Sequence, residues 1–203
     1  MKQVYRLIVI CIGFIHSPSA TAQRYLKNVI PYQNHISLTT SNDTHIRAEI
    51  TSQPSPDTYI SNKIWYYWYY KDTIIQAQST YHGKLLHGDY REFFSNWKPK
   101  VMGKFYYGKK VGEWKFWDDS GIIRKTSHWN NGQKTGLFRL YNEKGILIQK
   151  GKMRDGKLHG IIKAYSQEDS IGISRQKFKN DKLIKKEKKN QISNLFNKLT
   201  TLF

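Results

Sequence analysis

Between residues 64 and 184, rings and aliphatic side chains alternate with polar ones in short runs that return every 24 residues. Gly88, Gly112, Gly136 and Gly160 mark the period. Reading onward from each gives Gly-Asp-Tyr-Arg-Glu-Phe at 88–93, Gly-Glu-Trp-Lys-Phe-Trp at 112–117, Gly-Leu-Phe-Arg-Leu-Tyr at 136–141 and Gly-Ile-Ile-Lys-Ala-Tyr at 160–165. One period earlier, 64–69 reads Ile-Trp-Tyr-Tyr-Trp-Tyr and starts the series without its glycine. Tyr66, Tyr90, Trp114, Phe138 and Ile162 form one large apolar column; Tyr69, Phe93, Trp117, Tyr141 and Tyr165 form an aromatic one. Runs this short, aromatic and alternating predict strands, not helices.

Each run leads into a turn, Asp118-Asp119-Ser120-Gly121 in one unit and Asn142-Glu143-Lys144-Gly145 in the next. A second extended run follows and closes on Asn131-Gly132 or Asp155-Gly156, where glycine supplies the positive φ of a tight turn. The unit is therefore strand, turn, strand, turn. About five such units predict an all-β chain: an elongated single sheet of tandem antiparallel β-hairpins, because a lone hairpin is marginal until neighbours stack on it. The last unit is worn, with Asn180-Asp181 in place of the glycine turn.

These residues resemble the MORN repeat and, more closely, its bacterial variant. The match is Gly-x-Trp-Lys-x-Trp at 112–117, then Asp-x-x-Gly at 118–121 and Trp-Asn-Asn-Gly-x-x-x-Gly at 129–136. It recurs at 136–160 and, with weaker glycines, at 88–112 and 160–181, so that it covers about 120 of the 203 residues. Proteins of this variant are often described as YwqK-type antitoxins. The resemblance thus implies a MORN-like fold and, as an alternative function, the immunity partner of a toxin.

The flanks read differently. Residues 1–22 carry Lys2 and Arg6, a short apolar run from Leu7 to Ile15 and Ala20-Thr21-Ala22, the pattern of a cleaved export signal. Cys11, the only cysteine, lies within it, so a cleaved chain would have no disulfide. Residues 23–63 read as an irregular N-terminal cap, with alternation at His45 to Ile50 hinting at a strand. In 185–203, Ile192, Leu195, Phe196, Leu199, Leu202 and Phe203 follow a basic cluster at helical spacing. This predicts an amphipathic C-terminal helix that either covers the last sheet edge or lies on an anionic membrane surface.

Charge bears on partners more than on fold. The chain carries +19; without Lys2 and Arg6, and with no acid before residue 23, +17 remains. Export makes nucleic acid an unlikely partner and leaves a protein as the first expectation, with an anionic membrane second. The basic column Arg91, Lys115, Arg139 and Lys163 shares a face with Phe93, Trp117, Tyr141 and Tyr165 by the period of two, and is the candidate partner-binding strip. Gly88, Gly112, Gly136, Gly160, Gly132 and Gly156 are assigned to turns. No catalytic constellation, metal set or cofactor motif is evident. Asp118-Asp119 reads as a solvated turn, and His82, His87 and His159 as surface turn histidines. The expectation is an exported, non-catalytic binding scaffold.

Overall fold

The structure is a computed structural model, and it describes residues 33–57, 59–166 and 172–186. Among these, thirteen strands and no helix are formed. They are β1 (Gln33–Thr39), β2 (His45–Thr51), β3 (Trp65–Tyr70), β4 (Thr73–Gln78), β5 (Lys84–Phe93), β6 (Pro99–Tyr106) and β7 (Lys109–Trp117). The series continues with β8 (Ile123–Asn130), β9 (Gln133–Tyr141), β10 (Leu147–Arg154), β11 (Lys157–Tyr165), β12 (Gly172–Lys179) and β13 (Lys182–Lys186). All belong to one open antiparallel sheet, in which β5 to β13 follow chain order.

The all-β hairpin array read from the sequence is therefore present. Its 24-residue frame has a physical basis in the turns. Asn131-Gly132 and Asp155-Gly156 hold φ between 48° and 79°, the left-handed pair that matches the natural twist of a two-residue hairpin. Each turn is also stitched to the preceding unit. Gly108 N–H donates to Leu86 O at 2.7 Å, Gly132 N–H to Lys110 O at 3.0 Å, Gly156 N–H to Lys134 O at 2.8 Å and Asp181 N–H to Leu158 O at 3.1 Å. The four repeat glycines at 88, 112, 136 and 160 lie inside strands at positive φ, next to points where the pairing register shifts. They are bulge positions rather than the turns expected of them, because the tight turns fall four residues before Gly112, Gly136 and Gly160, and the longer β4–β5 connection ends before Gly88.

Two of the three core clusters follow one ladder of opposed side chains, and the third gathers Trp68, Leu85 and Tyr107. Ala48 faces Tyr90, Tyr90 faces Gly103, Trp114 faces Ser127, Ser127 faces Phe138, and Phe138 faces Gly151. Large groups on one strand of each hairpin meet small ones on the other. The fit is close: a Cβ on Gly103 would lie 2.2 Å from the Trp114 ring, and one on Gly151 would lie 2.3 Å from Ile162.

Two parts depart from the expected order. Residues 33–51, read as irregular apart from one strand, form the hairpin β1–β2, because Ile46, Ala48 and Ile50 alternate inward and are buried. Their strand β2 pairs with β5, taking the place expected for the Ile64–Tyr69 unit. That unit becomes the hairpin β3–β4, which leaves the path of the sheet and holds β5 only through Trp68↔Leu85 and Tyr69↔Lys84. Lacking the repeat glycine, it has no bulge with which to continue the array. Instead its chain runs along the turns: Tyr67 N–H donates to Gly108 O at 2.8 Å, and Ile64 lies where a Cβ on Gly132 would be. The buried Lys109 ammonium pairs with Asp57 and ties the preceding segment down. The expected C-terminal helix falls outside the described residues except at Lys185 and Lys186, which belong to β13.

Candidate binding faces

Along the middle of the sheet, the cross-strand register runs Arg47, Arg91, Met102, Lys115, Thr126, Arg139, Lys150, Lys163, Arg175. Directly opposed residues share a face, and neighbouring strands stand about 4.8 Å apart. The expected basic column Arg91, Lys115, Arg139 and Lys163 is thus brought onto one face. The second strands extend it with Lys150 and Arg175, which the column alone did not show.

The aromatic column lies at the same strand ends, each ring just past a register shift. Phe93 faces Pro99, Trp117 faces Ile123, Tyr141 faces Leu147 and Tyr165 faces Gly172. Two cations reach these rings: Arg47 lies 5.8 Å from Phe93 and 5.3 Å from Trp97, and Lys150 lies 5.5 Å from Tyr165. His45 stacks on Trp97 at 4.0 Å and completes an aromatic cluster at the β5 end.

The two halves of the ladder differ electrically. Arg91 pairs with Asp89 and Lys115 with Glu113, at 3.3 and 3.4 Å. One and two periods later the acids give way to Leu137 and Ile161, which are 47% and 55% exposed. Among the described residues, no ion pair reaches Arg139, Lys150, Lys163 or Arg175. The β9–β12 half is therefore cationic and apolar together.

The opposite face carries chemistry that the columns did not signal. Lys110, Lys125 and Lys134 gather there among rings. The Lys110 ammonium lies 4.3 Å from the Trp114 centroid, 5.1 Å from Tyr67 and 5.2 Å from Trp129. Lys134 lies 5.6 Å from Trp129, and Lys125 lies 5.9 Å from Phe116. Burial, reinforced by the charge of Lys134, pulls the Lys110 amine down to about 8. Burial and the charges of Lys134 and Lys110 do the same to Lys125, also to about 8, while burial lowers Lys134. Each lysine could be read as a polar side chain at or near a hairpin turn, and only the strand register shows that they converge. The signal available in sequence was the repeat of lysine at 110 and 134, in a column whose other members are Leu86 and Leu158.

Beside Lys110 is a cavity of about 350 Å³, roofed by Tyr67, Ile74 and Gln76 of β3–β4 and floored by Tyr90, Glu92, Val101, Phe105, Trp114 and Phe116. Glu92 accepts from the Tyr90 hydroxyl at 3.1 Å and pairs with Lys100 at 2.7 Å. Burial raises the Tyr67 and Tyr90 hydroxyls, so both stay protonated through the neutral range.

No family model and no curated protein matches this chain. Its site must be argued from its own residues. Asp118 behaves as a turn former: it accepts from Ile122 N–H at 2.9 Å and approaches Arg124, and that backbone bond, ahead of Arg124, holds its carboxyl below the usual range. His87 differs from the surface position expected. It is buried between Tyr106 and Tyr107, accepts from Tyr107 N–H at 3.4 Å, and burial lowers its affinity for a proton. Among the described residues, no group of three His, Cys, Asp or Glu could hold a metal ion.

Proposed function

We propose that this chain is an exported, non-catalytic scaffold of MORN-like repeats whose β9–β12 half binds an acidic protein partner. One observation carries the reading. Arg139, Lys150, Lys163 and Arg175 lie on four neighbouring strands with no acid paired to them, beside exposed Leu137 and Ile161. Four like charges on strands about 4.8 Å apart repel one another and gain from an anionic partner, while the flanking apolar groups reward a contact that excludes water. A partner segment that alternates acidic and apolar residues fits both requirements. The repeated turn-to-strand hydrogen bonds support the MORN-like part of the reading, since three successive turns make the same link 22 residues back.

The test pairs two charge-reversed variants, Arg139→Glu/Lys163→Glu and Arg91→Glu/Lys115→Glu. Each is cross-linked in cell-envelope extract, and the attached peptides are identified. Acidic peptides should attach to Arg139-side positions in the wild type and second variant, and be lost at least tenfold in the first. Equal labelling of all three proteins, or labelling confined to nucleic acid or lipid, overturns the reading.

A further inference from the structure

The lysine-lined cavity on the opposite face has no part in that reading. Alternation along β5, β6 and β7 places Tyr90, Glu92, Val101, Phe105, Trp114 and Phe116 on the side away from Arg91, Met102 and Lys115. A sheet of this kind could fill the space with aliphatic side chains. Here it is left open at about 350 Å³, near the lower end of small-molecule sites, and is walled by four aromatic rings besides Tyr90.

Its polar groups are few and convergent. Lys110 lines it with its ammonium among three rings. Glu92 and Gln76 also line the cavity. Glu92 is already engaged by Lys100 and Tyr90, so its attraction for Lys110 is shared. Lys125 and Lys134 add like charge nearby, felt by Lys110 through Lys134 and by Lys125 through both. A partly buried Lys110 ammonium with like charge beside it gains from an anion that enters the cavity. Flat walls select a flat body.

We propose that this cavity binds a small ring-bearing organic anion. Its acid group meets Lys110, its ring lies against Phe105, Trp114 and Phe116, and a hydrogen-bond donor at its far end reaches Glu92 or Gln76. A carboxylate and a phosphate monoester share the anionic chemistry required.

The full chain is titrated with 4-hydroxybenzoate, phenyl phosphate and the neutral 4-hydroxybenzyl alcohol, following tryptophan fluorescence and heat. At least one anion should bind saturably at one per chain and at least tenfold more tightly than the alcohol; the tighter of the two names the acid. Lys110→Met should weaken that anion at least tenfold, whereas Lys144→Met, in the exposed turn between β9 and β10, should leave it unchanged. A second measurement needs no variant: at pH 8, saturating anion should slow acylation of Lys110 at least fivefold, as seen by peptide mapping. Binding by neither anion, equal binding of the alcohol, equal loss in Lys144→Met, or unprotected Lys110 overturns the proposal. None of these outcomes bears on the acidic partner, whose surface is on the other face.

Discussion

Gly103 is open to only one objection as a site for a side chain, and that is the Trp114 ring lying 2.2 Å from where its Cβ would be. Gly156 presents the reverse case, with nothing within 4 Å of its missing Cβ but a backbone φ of 79°. The two glycines therefore separate packing from conformation. Gly103→Ala should cost about 1–3 kcal/mol by overfilling the core. Gly156→Ala should cost about 1 kcal/mol through backbone strain alone. Denaturant unfolding of both checks this, and Trp114→Phe should recover part of the loss only for Gly103→Ala. The sequence showed the turn glycine plainly, because it recurs in a fixed frame beside Asn or Asp. Gly103, Ser127 and Gly151 form an equally regular column, yet Gly, Ser and Gly do not share the chemical likeness by which rings announce themselves. Small residues are required there by what faces them across the strand, and that partner is not their neighbour in sequence.

At the scale of elements, the second strands carry as much of the candidate site as the first. Lys150 and Arg175 complete the basic ladder, and Lys125 completes the lysine cluster, but none of the three stands in a column of cations one period away. Their place follows from register, which the bulges at each unit reset. The β3–β4 hairpin was the harder element to read. Its six-residue aromatic run fits the strand pattern and does form a strand, but pattern alone cannot say which neighbour a strand will choose. Trp68 and Tyr69 are its only register pairs with β5, and β4 is paired to β3 alone. This hairpin should open without the rest of the sheet. Hydrogen exchange should show amides of β4 exchanging at least tenfold faster than those of β8 and β9, each flanked by strands on both sides. Equal protection would mean that β3–β4 unfolds only with the whole array.

For the molecule as a unit, the buried amines and hydroxyls set how stability answers to pH. Lys110 and Lys125 titrate near 8 in the fold, against 10.5 for an ordinary lysine. Between those values the unfolded chain holds protons that the folded one has released, so stability rises with pH across that window. Tyr67 and Tyr90 act in the other direction. Their raised hydroxyls keep protons that the unfolded chain loses above about pH 10, so stability falls there. The thermal unfolding midpoint should climb from pH 7.5, peak near pH 10 and then decline; Lys110→Met should flatten the climb. A midpoint that is level from 7.5 to 10 would mean that these amines titrate normally.

The turn-to-strand stitches have one more consequence, and it concerns heredity. Gly108 bonds to Leu86, Gly132 to Lys110 and Gly156 to Lys134, each across 22 residues and each displaced by 24 from the last. A gene that loses or duplicates 24 codons within this region rejoins a turn to an equivalent carbonyl, and each side chain keeps its face. An odd insertion into a strand would exchange the cationic and lysine-caged faces beyond it. Copying or losing whole units beyond β7 is thus the edit by which such a chain can lengthen or shorten its binding ladder while leaving the cavity under β3–β4 untouched.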